Sequence, residues 1–221
     1  SQGNMKQDYT QIDPVIKDAV DILQRAAQNK GGLTGIPTGY QQMDDMTSGW
    51  QPSDLVIIAG RPAMGKTSFA LSIAKNVAVD HGVPIGFFSL EMNNVQLVNR
   101  LISNVCEISG KKILNGQLDP SEWERLDKKI RSLTGAPIYI DDTPGLSVFE
   151  LRTKARRLVR EKGVKLLMID YLQLMNANGM KFGSRQEEVS TISRSLKGLA
   201  KELNIPVLAL SQLSRNVENR E

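Results

Sequence analysis

A short segment near residue 60 constrains the fold of this chain more than any other feature. It follows an apolar run, Leu55–Ala59, and precedes a helix-favouring run, Ser68–Ala78. Its eight residues are Gly60-Arg61-Pro62-Ala63-Met64-Gly65-Lys66-Thr67, which match the pattern G-x-x-x-x-G-K-[ST]. The two glycines allow the tight backbone curve that joins a strand to a helix in this pattern. The segment therefore predicts an α/β fold with a loop between a buried strand and the start of a helix.

The predicted loop has the chemistry of a phosphate-binding site. Backbone N–H groups in such a curve face a polyphosphate, and the positive end of the following helix adds to the attraction. Lys66 can reach the β- and γ-phosphates, and Thr67 can place a hydroxyl on Mg²⁺. The residues predicted to contact the nucleotide are Gly60, Arg61, Pro62, Ala63, Met64, Gly65, Lys66, Thr67 and Ser68.

Composition excludes several classes of protein. The chain has 221 residues, of which 40% are apolar and 24% charged, as in an ordinary globular domain with a sizeable core. No apolar run approaches the roughly 18 residues of a membrane span, and no apolar signal core stands at the N-terminus, so we expect a cytoplasmic protein. The single cysteine excludes a disulfide within the chain. A net charge of +4 is a weak indication of a polyanionic partner.

From Gly35 onward the chain alternates between strand-like and helix-like segments. The predicted strands are short apolar runs without alternation, which is typical of a parallel sheet covered by helices on both faces. They are Leu55–Ala59, Ile85–Ser89, Ile138–Ile140, Leu166–Ile169 and Val207–Leu210. The predicted helices are Ser68–Asp80, Asn94–Val105, Pro120–Thr134, Val148–Glu161 and Arg185–Leu203.

A separate helix is predicted before this domain. After a polar lead-in at residues 1–12, Asp13 suits the N-cap position and Pro14 the first helical position, and glycines at 31 and 32 end the helix. Its apolar face is formed by Val15, Ile16, Ala19, Val20, Leu23 and Ala27. This stripe needs a surface to cover it, either in the same domain or in another subunit.

Three polar residues follow predicted strands at the edge of the sheet where ligands bind. Asp170, after Lys165–Ile169, fits the acid that holds Mg²⁺, often through water, or is simply an acid at a strand end. Glu91 fits a base that deprotonates the attacking water, or a surface acid or helix cap. Gln212 fits a sensor of the γ-phosphate, or a polar strand end.

Two basic segments after strand ends are candidates for contacts with DNA phosphates. One is residues 176–185, with Lys181 and Arg185; the other is residues 214–220, with Arg215. Solvated loops are the alternative. A basic run on the predicted helix Val148–Glu161 is interpreted as a solvated or intersubunit face: Arg152, Lys154, Arg156, Arg157 and Arg160.

Five segments together resemble the bacterial replicative DNA helicases of the DnaB family, over about residues 13–221. They are Gly35–Gly39, Ile58–Thr67, Ser89–Met92, Met168–Met175 and Ala209–Arg215. The resemblance implies a RecA-like core, a homo-hexameric ring with ATP and Mg²⁺ bound between subunits, and 5′→3′ movement along single-stranded DNA. It further implies a primase and a helicase loader as partners.

By this resemblance, Lys66 and Thr67 bind the phosphates and Mg²⁺, Glu91 is the catalytic base, Asp170 the acid on the metal side and Gln212 the phosphate sensor. Residues 13–32 would be a linker helix that docks on the adjacent subunit, and residues 33–221 the motor domain. The family's N-terminal, primase-contacting domain and its arginine finger would lie outside these 221 residues, so we expect an incomplete motor.

Two other functions are open from the sequence. A RecA-like recombinase or clock-type ATPase shares the core, although the string Asp170–Gln173 favours the helicase. A nucleotide-controlled assembly module would bind ATP and assemble without useful turnover.

Overall fold

The computed structural model describes residues 9–28, 33–60, 65–177 and 183–212. These residues contain a five-stranded parallel sheet of order β1-β5-β4-β2-β3. Its strands are β1 (Leu55–Gly60), β2 (Ile85–Ser89), β3 (Ile138–Asp141), β4 (Leu166–Asp170) and β5 (Val207–Gln212). All five predicted strands are confirmed, and β5 extends two residues further than expected, so that Gln212 belongs to the strand itself.

The helices observed in the described residues include the six predicted ones. They are α1 (Ile12–Gln28), α2 (Gln41–Thr47), α3 (Lys66–Lys75), α4 (Asn94–Cys106), α5 (Gly110–Asn115), α6 (Pro120–Leu133), α7 (Val148–Lys162) and α8 (Arg185–Leu203). Because α1 begins at Ile12, Asp13 lies in the first turn and the prediction of Asp13 as the N-cap was wrong. The helix predicted over Ser68–Asp80 begins earlier, at Lys66, and its last turn, Asn76–Asp80, is π-helical.

Two short helices were not predicted from the sequence. The seven-residue α2 has no buried residue, and the six-residue α5 begins after a Ser109 cap. Segments this short cannot display the apolar repeat of a helix over several turns, which is the signal that identified the longer helices.

The core lies on both faces of the sheet because the strand residues alternate between them. In β4, Leu167 and Ile169 pack with buried residues of α7 and α8, whereas Leu166 and Met168 pack with buried residues of α3 and α4. All four side chains are fully buried. This explains why the strand sequences are continuously apolar, and it confirms the predicted sheet with helices on both sides.

The 17-residue helix α1 is the longest of the described helices that have no buried residue. Its apolar residues Val15, Ile16, Val20 and Leu23 are 43–67% exposed. Among the residues with described structure, no helix has the length and apolar character needed to cross a membrane.

Candidate nucleotide site

The strand order places the carboxyl ends of β1, β5, β4 and β2 side by side, at what we term the carboxyl edge. Gly60 at the end of β1 pairs in register with Gln212 at the end of β5. Ser89 at the end of β2 pairs with Asp170 at the end of β4. The predicted site residues, which are far apart in the sequence, are therefore brought to neighbouring strand ends.

The two ends of the predicted phosphate loop have the geometry that the pattern requires. Gly65 has φ 72°, in the left-handed region that favours glycine, and its carbonyl accepts the Phe69 N–H at 2.9 Å, which starts α3. A Cβ on Gly60 would lie 2.9 Å from Cγ of Lys66, so this glycine leaves room for the lysine stem. Arg61, Pro62, Ala63 and Met64 lie outside the described residues, and Ser68 lies on the exposed side of α3.

The Lys66 ammonium lies between β5 and the chain that follows β4. Its Nζ donates a hydrogen bond to the Ser211 carbonyl at 3.2 Å and lies 5.5 Å from the centre of the Tyr171 ring. Partial burial lowers the pKa of Lys66 below 10.5, although the carboxylates of Asp170 and Glu91 act in the opposite direction. A partly desolvated cation of this kind is a strong binding group for an anion.

Asp170 and Thr67 meet at the carboxyl edge. The Thr67 hydroxyl donates to Oδ2 of Asp170 at 3.1 Å, and Asp170 is only 7% exposed. Burial raises the pKa of Asp170 above 3.8, while the Thr67 hydrogen bond and the Lys66 charge act against it. A buried carboxylate beside a hydroxyl fits the oxygen-rich shell of a magnesium ion. Thr67 and Asp170 are thus the residues present that suit Mg²⁺.

We expect an Asp170→Asn variant to be more stable than the wild type when Mg²⁺ and nucleotide are absent. Because the pKa is raised, the Asp170 carboxyl binds a proton more tightly in the native protein than in the unfolded chain. The free energy of unfolding therefore falls as the pH rises from the unfolded-state pKa of 3.8 through the higher pKa of the native protein. Asparagine removes the buried charge. The gain should be about 1 kcal/mol, or about 2–4 °C in Tm for a domain of this size, measured by thermal denaturation at pH 7.

The matched control is Asp141→Asn, at the end of β3. Burial tends to raise the pKa of Asp141, but hydrogen bonds from Lys154 (2.6 Å) and Thr143 outweigh burial and hold the pKa below its ordinary value. Removing this charge should therefore lower Tm. If both variants shift Tm in the same direction, the electrostatic explanation of Asp170 is wrong.

Glu91 lies in a turn that is held on several sides, two residues beyond the end of β2. The Ser89 hydroxyl donates to the Met92 carbonyl at 2.7 Å, and the Leu90 N–H donates to the Asp170 carbonyl at 2.9 Å. The next residues form a capping box at the start of α4, where Asn93 accepts the Gln96 N–H. Glu91 is exposed, and its negative charge contributes to the pKa shifts of Lys66, Asp170 and Tyr171.

The sequence interpretation missed two residues that support this arrangement. Asp142 accepts the Asn94 N–H at 2.9 Å and so ties the start of α4 to the loop after β3. Gln173 makes three hydrogen bonds to the last two residues of β5, including Gln212. Gln173 stands within a segment that resembles the family, but no chemical pattern in the sequence indicates these contacts.

Of the three residues predicted to contact DNA, the structure describes only Arg185. Lys181 and Arg215 lie outside the described residues. The Arg185 guanidinium contacts the carbonyl oxygens of Gln173 and Met175 and the carboxylate of Glu188, so in this structure it braces the chain at the start of α8. Its contact with DNA stays a prediction.

The five cations of the basic run on α7 share three acidic partners, Asp141, Glu161 and Glu202. All five cations have an acidic partner within 3.9 Å, and Glu202 on α8 pairs with two of them, Arg152 and Arg156. The interpretation of the run as a solvated or intersubunit face stays a prediction.

The sheet order, the loop between β1 and α3, and the Thr67–Asp170 contact define a phosphate-loop nucleotide-binding domain of RecA-like architecture. The family model for the DnaB-like helicase C-terminal domain matches residues 35–221. The chain therefore belongs to the DnaB-like replicative helicase family, which confirms the resemblance seen in the sequence.

Individual relatives support this assignment. The replicative DNA helicase DnaB of Geobacillus stearothermophilus is 47% identical over 213 residues, which are 96% of this chain and 47% of that protein. The chain thus spans about half the length of this relative. One similar solved structure, described as an ATPase domain, has a TM-score of 0.86 and 37% identity, covering 97% of this chain and 75% of the other. A DnaB-like replicative helicase, studied for its interactions with primase, has a TM-score of 0.82 and 37% identity, covering 99% and 52%.

Proposed function

We propose that this chain is the ATP-hydrolysing motor of a hexameric replicative helicase that moves 5′→3′ on single-stranded DNA and unwinds duplex. The observation that carries the proposal is the contact between Thr67 and Asp170 beside Lys66, at the end of a strand–loop–helix unit. Membership of the replicative helicase family supports the choice of DNA as the track.

We propose the following roles for the site residues. Lys66 neutralises the β- and γ-phosphate oxygens, and backbone N–H groups of the phosphate loop donate hydrogen bonds to them. Thr67 and Asp170 hold Mg²⁺, which supplies charge neutralisation for the departing phosphate. Glu91, exposed at the same edge, orients the attacking water and accepts its proton. The side-chain amide of Gln212 has no hydrogen bond to a described residue, and we assign it to the γ-phosphate.

The experiment that tests the motor is an ATPase assay with and without single-stranded DNA. We expect turnover to rise when DNA is added, because hydrolysis that drives translocation must respond to the track. A turnover rate that is the same with and without DNA, in a preparation that binds ATP, would contradict the helicase function and favour a module that only assembles. A filament in place of a ring, seen by electron microscopy, would favour the recombinase or clock-type alternative.

The exposed stripe of α1 supports assembly with a second copy of the chain. A cleft of about 510 Å³ lies beside the Glu91 turn, between α4 and α5, and Met92 and Leu114 line it. Leu114 is 82% exposed. We assign this cleft to α1 of a neighbouring subunit, because burial of both apolar surfaces at once would stabilise a ring. Primase and a helicase loader are proposed as further partners by analogy with the family.

A Leu23→Gln variant should assemble less well, although its fold is unchanged. Leu23 is 67% exposed, so the single chain gains little from it, whereas burial of a leucine in an interface contributes about 1.5–3 kcal/mol. We expect the concentration for half-assembly with an ATP analogue to rise about 10-fold or more, measured by sedimentation or light scattering.

Lys17→Gln is the matched control, because it lies on the same helix outside the apolar stripe and should assemble normally. Leu114→Gln should reproduce the Leu23→Gln defect. If Leu23→Gln assembles like Lys17→Gln, α1 does not form the subunit contact.

A further inference from the structure

The Gln173 side chain forms three hydrogen bonds with the last two residues of β5. Its Nε2 donates to the Ser211 hydroxyl at 2.8 Å and to the Gln212 carbonyl at 3.1 Å, and its Oε1 accepts the Gln212 N–H at 3.2 Å. One amide side chain thus pairs with both backbone polar groups of Gln212, much as a neighbouring strand would. Any displacement of Gln212 must move Gln173 or break these bonds.

The backbone of Gln173 is tied in turn to the start of α8. The Arg185 guanidinium donates to the Gln173 carbonyl and, at 3.4 Å, to the Met175 carbonyl, and it pairs with Glu188. Arg185 is the first residue of α8 and ends the segment that the sequence predicts to contact DNA. Gln173 therefore lies between the residue assigned to the γ-phosphate and the base of the predicted DNA loop.

The turn that carries Gln173 is firmly anchored. Gln173 is the middle residue of a 3₁₀ turn, Leu172–Leu174, and the side chains of Leu172 and Met175 are buried in the core beside α8. Lys66 also contacts this region through the Ser211 carbonyl. Packed segments of this kind move as units and do not deform gradually. We therefore expect a displacement at the end of β5 to move the turn that carries Gln173.

We propose that Gln173 is a positioning residue that couples the nucleotide at Gln212 to the first turn of α8, and so to the affinity for single-stranded DNA. The proposal rests on the proposed function, because it needs both ligands to bind. Coupling between two binding sites is reciprocal, so it is measurable as the factor by which an ATP analogue changes the DNA dissociation constant. Typical factors are about 5- to 150-fold.

A merely structural role for Gln173 predicts a different result. If the side chain only holds β5 in place, its loss weakens the binding of nucleotide and of DNA, but the factor between the DNA affinities with and without nucleotide stays the same. The coupling role predicts that each ligand still binds alone but that the ATP analogue no longer changes the DNA dissociation constant. The factor itself is therefore the quantity that separates the two roles.

The experiment measures the binding of a fluorescent oligo-dT by anisotropy, with and without a non-hydrolysable ATP analogue and Mg²⁺. The variants are Gln173→Ala, which removes all three hydrogen bonds, and Gln173→Glu, which keeps the size but cannot donate to Ser211 or Gln212. Gln186→Ala, an exposed glutamine next to Arg185, is the matched control. We expect a factor of about 5-fold or more in the wild type and the control, and less than about 2-fold in both Gln173 variants.

A second measurement does not depend on DNA. Hydrogen exchange should show that the analogue slows exchange in the first turn of α8 in the wild type and the control but not in Gln173→Glu. The proposal is wrong if either folded Gln173 variant keeps the wild-type effect of the ATP analogue on DNA affinity. If Gln173→Ala does not fold, the test rests on Gln173→Glu, and the proposal is wrong if the analogue still slows exchange in α8 of that variant. If the wild type itself shows no effect of nucleotide on DNA affinity, the proposed function fails first.

Discussion

In a Glu91→Gln variant, we expect ATP to bind with nearly unchanged affinity while hydrolysis slows by about 100- to 10,000-fold. Glutamine keeps the size of the side chain but cannot accept the proton of the attacking water, and loss of a general base has this range of cost. The turn around Glu91 is held by Ser89, Leu90 and the capping box of α4, none of which involves the Glu91 carboxylate. The substitution should therefore leave the local structure intact.

The measurement compares single-turnover hydrolysis with the affinity for a fluorescent ATP analogue. Glu124→Gln is the matched control, because Glu124 is an exposed acid on α6 that pairs with Lys128 four residues later. It should hydrolyse ATP at the wild-type rate. Normal hydrolysis by Glu91→Gln would show that the base is another residue, and Asp170 would then be the first alternative to test.

A Lys66→Ala variant should lose nucleotide binding itself. The Lys66 ammonium is partly desolvated, and among the described residues it contacts a neutral carbonyl and an aromatic face, so it can turn toward a triphosphate at little cost. Removal of a charged hydrogen-bonding partner from a phosphate typically costs about 2–5 kcal/mol, so the Kd should rise roughly 30-fold or more. Isothermal titration with an ATP analogue and Mg²⁺ measures this loss directly.

Lys75→Ala serves as the control for this loss. Lys75 is the last residue of the same helix, α3, and pairs with Asp80 at 3.1 Å, far along the helix from the phosphate loop. Its removal takes away one positive charge without touching the site. If the two variants bind nucleotide equally well, the loop is not the phosphate site.

The sequence predicted the parallel sheet, and the edge at which the candidate site residues lie, for one physical reason. Strands buried on both faces must be continuously apolar, so a polar residue at the end of such a run, as at Asp170, marks the edge where a ligand can bind. The glycines and the lysine of the phosphate loop act through backbone geometry and charge that are local to a few residues. Local patterns of this kind can be recognised from the sequence without a structure.

Short or non-periodic features were the ones that the sequence could not give. The helices α2 and α5 are too short for an apolar repeat. The sequence also carries no sign of the long-range hydrogen bond that the Asn76 side chain donates to the Thr38 carbonyl. The assignment of core residues to the two faces of the sheet also required the structure, because a continuously apolar strand does not indicate which of its residues faces which helix.

What the sequence by itself determined was the chemistry of each strand end: a lysine and a threonine after β1, a glutamate after β2, an aspartate at β4 and a glutamine at β5. The tertiary structure alone decided which of these ends are neighbours, through the order β1-β5-β4-β2-β3, and which side chains join them. The bonds from Gln173 to Gln212 and from Arg185 to Gln173 span 39 and 12 positions along the chain. Contacts at such separations depend on how strands and helices pack, and packing is a property of the folded chain as a whole.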